Sequence, residues 1–202
     1  MCNLYRMTKA QAEVAGLFSA ASNTQLNAAD EIYPGYPGMV VAEGEVRAMV
    51  WGFPLVLKSK KTGEPLKPKP VNNTRTDKLD SYMWRFSFAE RRCLIPLTAW
   101  AEAEGPKGKM TRTWLSLPDA DLFAVAGIWR DSDEWGACYS MIMTDAAGRA
   151  AEVHNRMPVI LRGDAIETWQ SGTKDEARGL CIGYAGEIEI DRTKQLWSRR
   201  SA

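Results

Sequence analysis

The sequence predicts an α+β fold, and three observations carry that expectation. Short β-patterned segments fill the middle of the chain, helical periodicities sit toward its two ends, and the alternating strand–helix rhythm of a parallel βαβ protein is missing. With 202 residues, 45% of them hydrophobic and 25% charged, the chain is long enough for one ordinary domain with a real core. We expect a single domain over residues 1–202.

Taken in order, Thr8 is expected to cap a helix running to about Ala21, with Ala10, Val14, Leu17 and Ala21 at helical spacing and Gly16 as a weak point. The Tyr33-Pro-Gly-Tyr-Pro-Gly38 segment is turn chemistry. Two strands follow, near Met39–Ala42 and Glu45–Phe53. Residues 54–72 hold Pro54, Pro65, Pro68 and Pro70, so they read as an extended, exposed loop. Thr76 to Arg91 reads as a helix with Leu79, Met83 and Phe86 on one face. Strands are then expected over Arg92–Ala101, Arg112–Leu117, Phe123–Arg130 and Ala137–Thr144. A short helix at Asp164–Gln170 and a last strand at Ile188–Ile190 complete the chain.

Composition narrows the function. The longest run free of strongly polar residues is Ile32–Ala42, far short of the roughly 20 residues that cross a bilayer. The N-terminus turns polar within a few residues and offers no signal-peptide core, so a cytoplasmic protein with no membrane partner is expected. The cysteines stand at 2, 93, 138 and 181 with no CxxC pair, and His154 is the one histidine. That pattern predicts neither a zinc site nor a disulfide framework. No G-x-G-x-x-G or Walker-type loop is present, which argues against dinucleotide and P-loop chemistry. We expect no cofactor.

The formal net charge of +1 hides an asymmetry: residues 1–57 carry −2, residues 58–92 carry +6, and the rest carry −3. A cationic block in a neutral chain suits a polyanion-binding face. It reads equally as a solvated lysine-rich loop.

Cys2 carries the sharpest chemistry. Removal of Met1 would leave a 1,2-aminothiol, an amine of ordinary pKa about 7.7–8.0 beside a thiol of about 8.5. The amine can condense with an aldehyde and the sulfur can then close a five-membered ring, which no internal cysteine can do. Asn73 and Arg75 lie at the end of the proline-rich loop, where polar side chains are available. Glu102 follows an apolar strand and suits general acid–base work. His154 is the one source of imidazole chemistry. Each has a plainer reading when taken singly: a turn former, surface charges and a structural histidine.

Together these segments resemble the SOS response-associated peptidase family, whose members form covalent crosslinks with abasic sites in DNA. The resemblance rests on Met1-Cys2, Trp51-Gly52, Asn73-x-Arg75, the Arg92-Cys-Leu-Ile-Pro96 strand leading to Glu102, and His154-x-Arg156-Met-Pro158. These landmarks stand in family order across residues 1 to about 162. The resemblance implies a twisted, barrel-like, mostly antiparallel sheet with flanking helices. It implies self-cleavage of Met1 and capture of an abasic site in single-stranded DNA as a thiazolidine on Cys2. By the same resemblance, Asn73 positions the N-terminus, Glu102 shuttles protons, and His154 assists sugar opening or contacts the adjacent phosphate. Arg75 and Arg156 hold phosphates, and Trp51 stacks on bases beside the lesion.

Two departures stand out. The family usually begins Met-Cys-Gly-Arg, whereas Asn3 and Leu4 follow Cys2 here, with Arg6 the nearest arginine. The aromatic that usually follows the glutamate is Ala103. The resemblance therefore implies an intact catalytic set and a thinner DNA clamp. We expect a monomer whose partner is abasic single-stranded DNA. Two rival readings remain: an N-terminal-nucleophile cysteine hydrolase of peptides or amides with His154 as base, and a reversible single-stranded nucleic-acid module in which Cys2 is incidental.

Overall fold

The computed structural model describes residues 2–23 and 29–197. The chain opens with β1 (Tyr5–Arg6) and α1 (Gln11–Leu17), then β2 (Glu31–Ile32), β3 (Pro37–Ala42), β4 (Glu45–Trp51) and β5 (Phe53–Leu55). An exposed loop leads to β6 (Lys69–Val71) and β7 (Asn73–Arg75), and α2 (Arg85–Glu90) precedes β8 (Arg92–Leu97) and β9 (Ala99–Glu104). The long strands β10 (Thr111–Ser116), β11 (Phe123–Ser132) and β12 (Gly136–Asp145) are followed by the short β13 (Arg156–Pro158) and β14 (Ile160–Leu161). Helices α3 (Ala165–Ser171) and α4 (Lys174–Gly179) and strand β15 (Glu189–Leu196) end the described chain.

The expected α+β architecture with a barrel-like sheet is what the chain forms. β12, β4, β3, β8 and β11 pair in that order, and β11 pairs back to β12, closing a five-stranded barrel. Only the β4–β12 contact in this ring is parallel. A second, antiparallel sheet runs β15-β10-β9-β1-β2. β8 and β9 are consecutive in sequence but belong to different sheets, with Thr98 between them. The single strand expected over Arg92–Ala101 is therefore two.

The β11 sequence Phe-Ala-Val-Ala-Gly-Ile-Trp is apolar without alternation because both faces of the strand are covered. Gly127 lies where a Cβ would strike Ile95 and the Cys93 sulfur. Trp169 of α3 docks the helix on the barrel, its Nε1 donating to the Cys93 carbonyl at 3.0 Å.

Local differences from expectation have physical causes. α1 begins at Gln11, not Thr8, because Glu13 reaches back to the Ala10 N–H at 2.8 Å and fixes the first turn there. The helix expected over Thr76–Arg91 is a short 3₁₀ turn at Thr76–Lys78 and then α2. The ends of the loop over residues 54–72 are tied as a β5–β6 hairpin. Asn73 and Arg75 lie on a strand, β7, and not on a loop. β7 runs parallel to β12, and Thr74 pins it by a buried hydroxyl contact of 2.8 Å with Ser140. No helix among the described residues is long and apolar enough to cross a membrane.

Candidate functional site

The site is assembled from both sheets. β1 pairs with β9 in the register Tyr5↔Trp100, and Ala101 N–H donates to the Leu4 carbonyl at 2.9 Å. Continued toward the N-terminus, that register brings Asn3 and Cys2 abreast of Glu102 and Ala103. From the barrel side, β7 presents Asn73, whose Nδ2 donates to the Cys2 carbonyl oxygen at 2.7 Å. Asn72 adds a second donor to the same oxygen at 3.0 Å. The two carbonyl lone pairs are thus both used, and Cys2 is fixed by two adjacent asparagines about 70 residues away in sequence. Met1, whose removal the sequence reading invokes, lies outside the described residues.

The Cys2 side chain has no exposed surface, and its Sγ lies 3.4 Å from the Leu4 carbonyl. Burial pushes the thiol well above its ordinary pKa, and the Glu102 carboxylate pushes it in the same direction. Glu102 is itself buried on β9, opposite Thr113 of β10. Burial raises the Glu102 pKa above the usual carboxylate range, while the nearby charge of His154 pulls it back. A buried carboxyl whose pKa is raised, beside a cysteine, has the electrostatics of a proton carrier.

His154 is delivered by the 3₁₀ turn Gly148–Glu152, its own N–H closing onto the Ala150 carbonyl at 3.1 Å. Its Nδ1 lies 3.0 Å from the Arg156 backbone N–H. The same Nδ1 lies 3.2 Å from the Arg156 carbonyl oxygen, so both backbone groups of Arg156 hold the ring through this nitrogen.

Arg75 on β7 and Arg156 on β13 flank the same end of β12. Arg75 is level with Met143, and Arg156 is level with Asp145. Positions 143 and 145 share a face, so the two arginines share it with Asn73, which pairs with Met141. Each guanidinium already has an acidic neighbour. Arg75 makes a two-pronged pair with Asp77 at 2.8 and 2.7 Å, and Arg156 lies 3.5 Å from Asp145.

Trp51 requires a correction. It has no exposed surface, packing edge-on against Tyr5 at 5.0 Å and stacking on Tyr139 at 6.5 Å. A base-stacking aromatic needs a bare face, and this ring has none. Its Nε1 instead donates to the Asn72 carbonyl at 3.0 Å, so it anchors the segment that holds Cys2.

The departures also find their places. Arg6 is drawn away from Cys2, pairing with Glu31 at 3.1 Å and lying 3.7 Å over the Trp114 ring. Ala103 faces Arg112 across β9–β10, and Arg112 is held by Glu31 at 2.9 Å and the Tyr33 hydroxyl at 3.0 Å. The cationic block is partly spent on the fold. The Arg92 guanidinium donates to the backbone carbonyls of Phe88, Ala89, Trp169 and Gly172, while Arg91 pairs with Asp131. Sequence reasoning missed Asn72 and Asp77. The doubled asparagine at the end of the proline-rich loop was the available signal for the first.

Comparison with known proteins agrees with this frame. A family model described as SOS response associated peptidase matches residues 1–194. No curated protein sequence matches the chain. Among solved structures, a protein from Bordetella bronchiseptica is similar over 95% of this chain and 99% of its own, with 21% identity and a TM-score of 0.78. A protein from Bacteroides thetaiotaomicron is similar over 95% and 91%, with 19% identity and a TM-score of 0.77. A phage-related protein from Bordetella bronchiseptica is similar over 96% and 95%, with 19% identity and a TM-score of 0.69. At these identities the likeness shows the fold.

Proposed function

The chain belongs to the SOS response associated peptidase family, and from that premise we propose that it captures abasic sites in single-stranded DNA covalently through Cys2. The observation that carries this reading is the convergence on Cys2. Asn73 holds its carbonyl at 2.7 Å, and a buried Glu102 lies close enough to perturb its thiol.

Hydrolysis of the Met1–Cys2 peptide bond consumes one water, releases methionine and frees the Cys2 amine. That amine attacks C1′ of the ring-opened abasic sugar, and the carbinolamine loses water to give an imine. The Cys2 sulfur then adds to the imine carbon, its proton passes to the nitrogen, and a thiazolidine closes. Glu102 suits the proton transfers at nitrogen and sulfur. His154 suits the sugar oxygen. Arg75 and Arg156 suit the flanking phosphates, since a planar guanidinium matches that geometry.

Burial of the Cys2 sulfur favours one order of events. A sulfur with no exposed surface is a poor first nucleophile, so the amine acts first and the sulfur adds to the activated imine.

The test is a denaturing gel of the protein with abasic single-stranded DNA, joined to intact-mass measurement. A heat- and detergent-stable adduct is expected from wild type, with one methionine lost from the protein. Cys2→Ala should give none, whereas Cys93→Ala should crosslink. An undiminished adduct in Cys2→Ala would overturn the reading.

A further inference from the structure

We propose that Asn72 is a second positioning residue for Cys2, an amide clamp that ties the Cys2 carbonyl to the side chain of Asn3. The inference rests on the Cys2 capture reading above and adds a component that the sequence did not suggest.

The clamp's donor and its backbone anchor are each used twice. Asn72 Nδ2 has two hydrogens and two acceptors, the Cys2 carbonyl oxygen at 3.0 Å and Asn3 Oδ1 at 3.1 Å. Its backbone carbonyl is also held twice, by Trp51 Nε1 at 3.0 Å and by the Met141 N–H at 2.9 Å. Trp51 is immobilised by burial against Tyr5 and Tyr139. Position thus passes from the barrel core through Trp51 to Asn72, and from Asn72 to the Cys2-Asn3 peptide.

Why two amides are needed follows from the chemistry. The two residues N-terminal to Leu4 lie beyond the ladder that begins at Tyr5, and a chain end left to itself is poorly ordered. Once Met1 is gone, the reacting amine sits on the first Cα of the chain. One hydrogen bond from Asn73 fixes the Cys2 carbonyl oxygen but leaves the peptide able to pivot about it. The second bond, and its branch to the Asn3 side chain, removes that rotation. An amine held in one orientation toward the aldehyde reacts faster without binding DNA more tightly.

Single-turnover crosslinking of Asn72→Ala and Asn3→Ala, measured across a range of abasic-DNA concentrations, tests the clamp. Asn3→Ala should lower the maximal rate about 3–10-fold, the size of one neutral hydrogen bond, and Asn72→Ala, which loses both bonds, by at least as much, each with an unchanged half-saturating DNA concentration. The double variant should be no slower than Asn72→Ala, because the Asn3 contribution runs through Asn72. Asn3→Asp, which keeps an acceptor for Nδ2, should retain the wild-type rate. A wild-type maximal rate in Asn72→Ala would overturn the clamp and leave Cys2 capture standing. So would a loss confined to the half-saturating concentration, which would make Asn72 a DNA contact. An absence of adduct from wild type would overturn both.

Discussion

Arg75 is bound edge-on by Asp77, with Nε 2.8 Å from one carboxylate oxygen and Nη2 2.7 Å from the other. The acid is two residues away on the turn that follows β7, and both side chains are substantially exposed. A phosphate approaching Arg75 must therefore share or displace this carboxylate. Arg75→Ala should make the log–log salt dependence of non-covalent single-strand binding shallower by about 0.7, the loss of one phosphate contact. Asp77→Asn should instead tighten binding, since it frees the guanidinium without removing it. Titrations of both variants across a salt series check this. An unchanged slope in Arg75→Ala would remove Arg75 from the phosphate-binding set.

Trp51→Phe tests the anchoring role of that ring. The phenyl ring fills most of the same space but cannot donate to the Asn72 carbonyl, which keeps its bond from Met141. Stability should fall by about 1 kcal/mol, the usual contribution of one hydrogen bond. Affinity for undamaged single strands should stay level. Thermal melts and binding titrations decide it, and a tenfold loss of affinity with unchanged stability would put Trp51 back against a base.

The sequence was most legible where one residue type alone can serve. The amine and thiol chemistry of Cys2, and a carboxylate at the end of an apolar strand, could be read before any geometry was known. Trp51 was misread because burial is a tertiary property: a tryptophan beside a glycine looks the same from the sequence whether it lines a groove or plugs a core. β7 was missed because three residues are too few to show a period, and its parallel partner lies about 70 residues away in sequence. The break at Thr98 was hidden for a related reason. Both β8 and β9 are strands, and nothing in local periodicity marks a change of sheet.

Gly52 makes the crossing from β4 to β5 possible. Its φ of +122° suits glycine, and an added Cβ would lie 2.5 Å from that of Pro70. Gly52→Ala should cost about 1–3 kcal/mol through backbone strain and overpacking. Because Pro70 leads directly through Val71 to Asn72, the variant should also crosslink more slowly than an equally destabilised variant far from the site. Denaturant unfolding together with crosslinking rates would show this. A loss of stability with the rate untouched would confine Gly52 to the fold.

The burial of Glu102 makes both stability and activity depend on pH. Burial holds its pKa above the ordinary carboxyl value of about 4.3. Between that value and the raised folded one, the native state binds more protons than the unfolded state, so stability falls as pH rises through the window. Glu102→Gln removes this contribution. The variant should gain on wild type as pH climbs from about 4.3 and keep its advantage above the folded value. Activity should move the other way. A carboxyl that must accept a proton works only once ionised, so the wild-type crosslinking rate should rise along an acid limb displaced above the ordinary carboxyl range. Glu102→Gln should abolish that limb and slow the reaction by roughly 10²–10⁴-fold. Its affinity for undamaged single strands should change little, since the side chain is buried. Rate–pH profiles of the two proteins, with unfolding followed over the same range, check both signs at once. A Glu102→Gln protein that is more stable at neutral pH yet crosslinks within twofold of wild type would leave the carboxylate as a buried charge with no part in the chemistry.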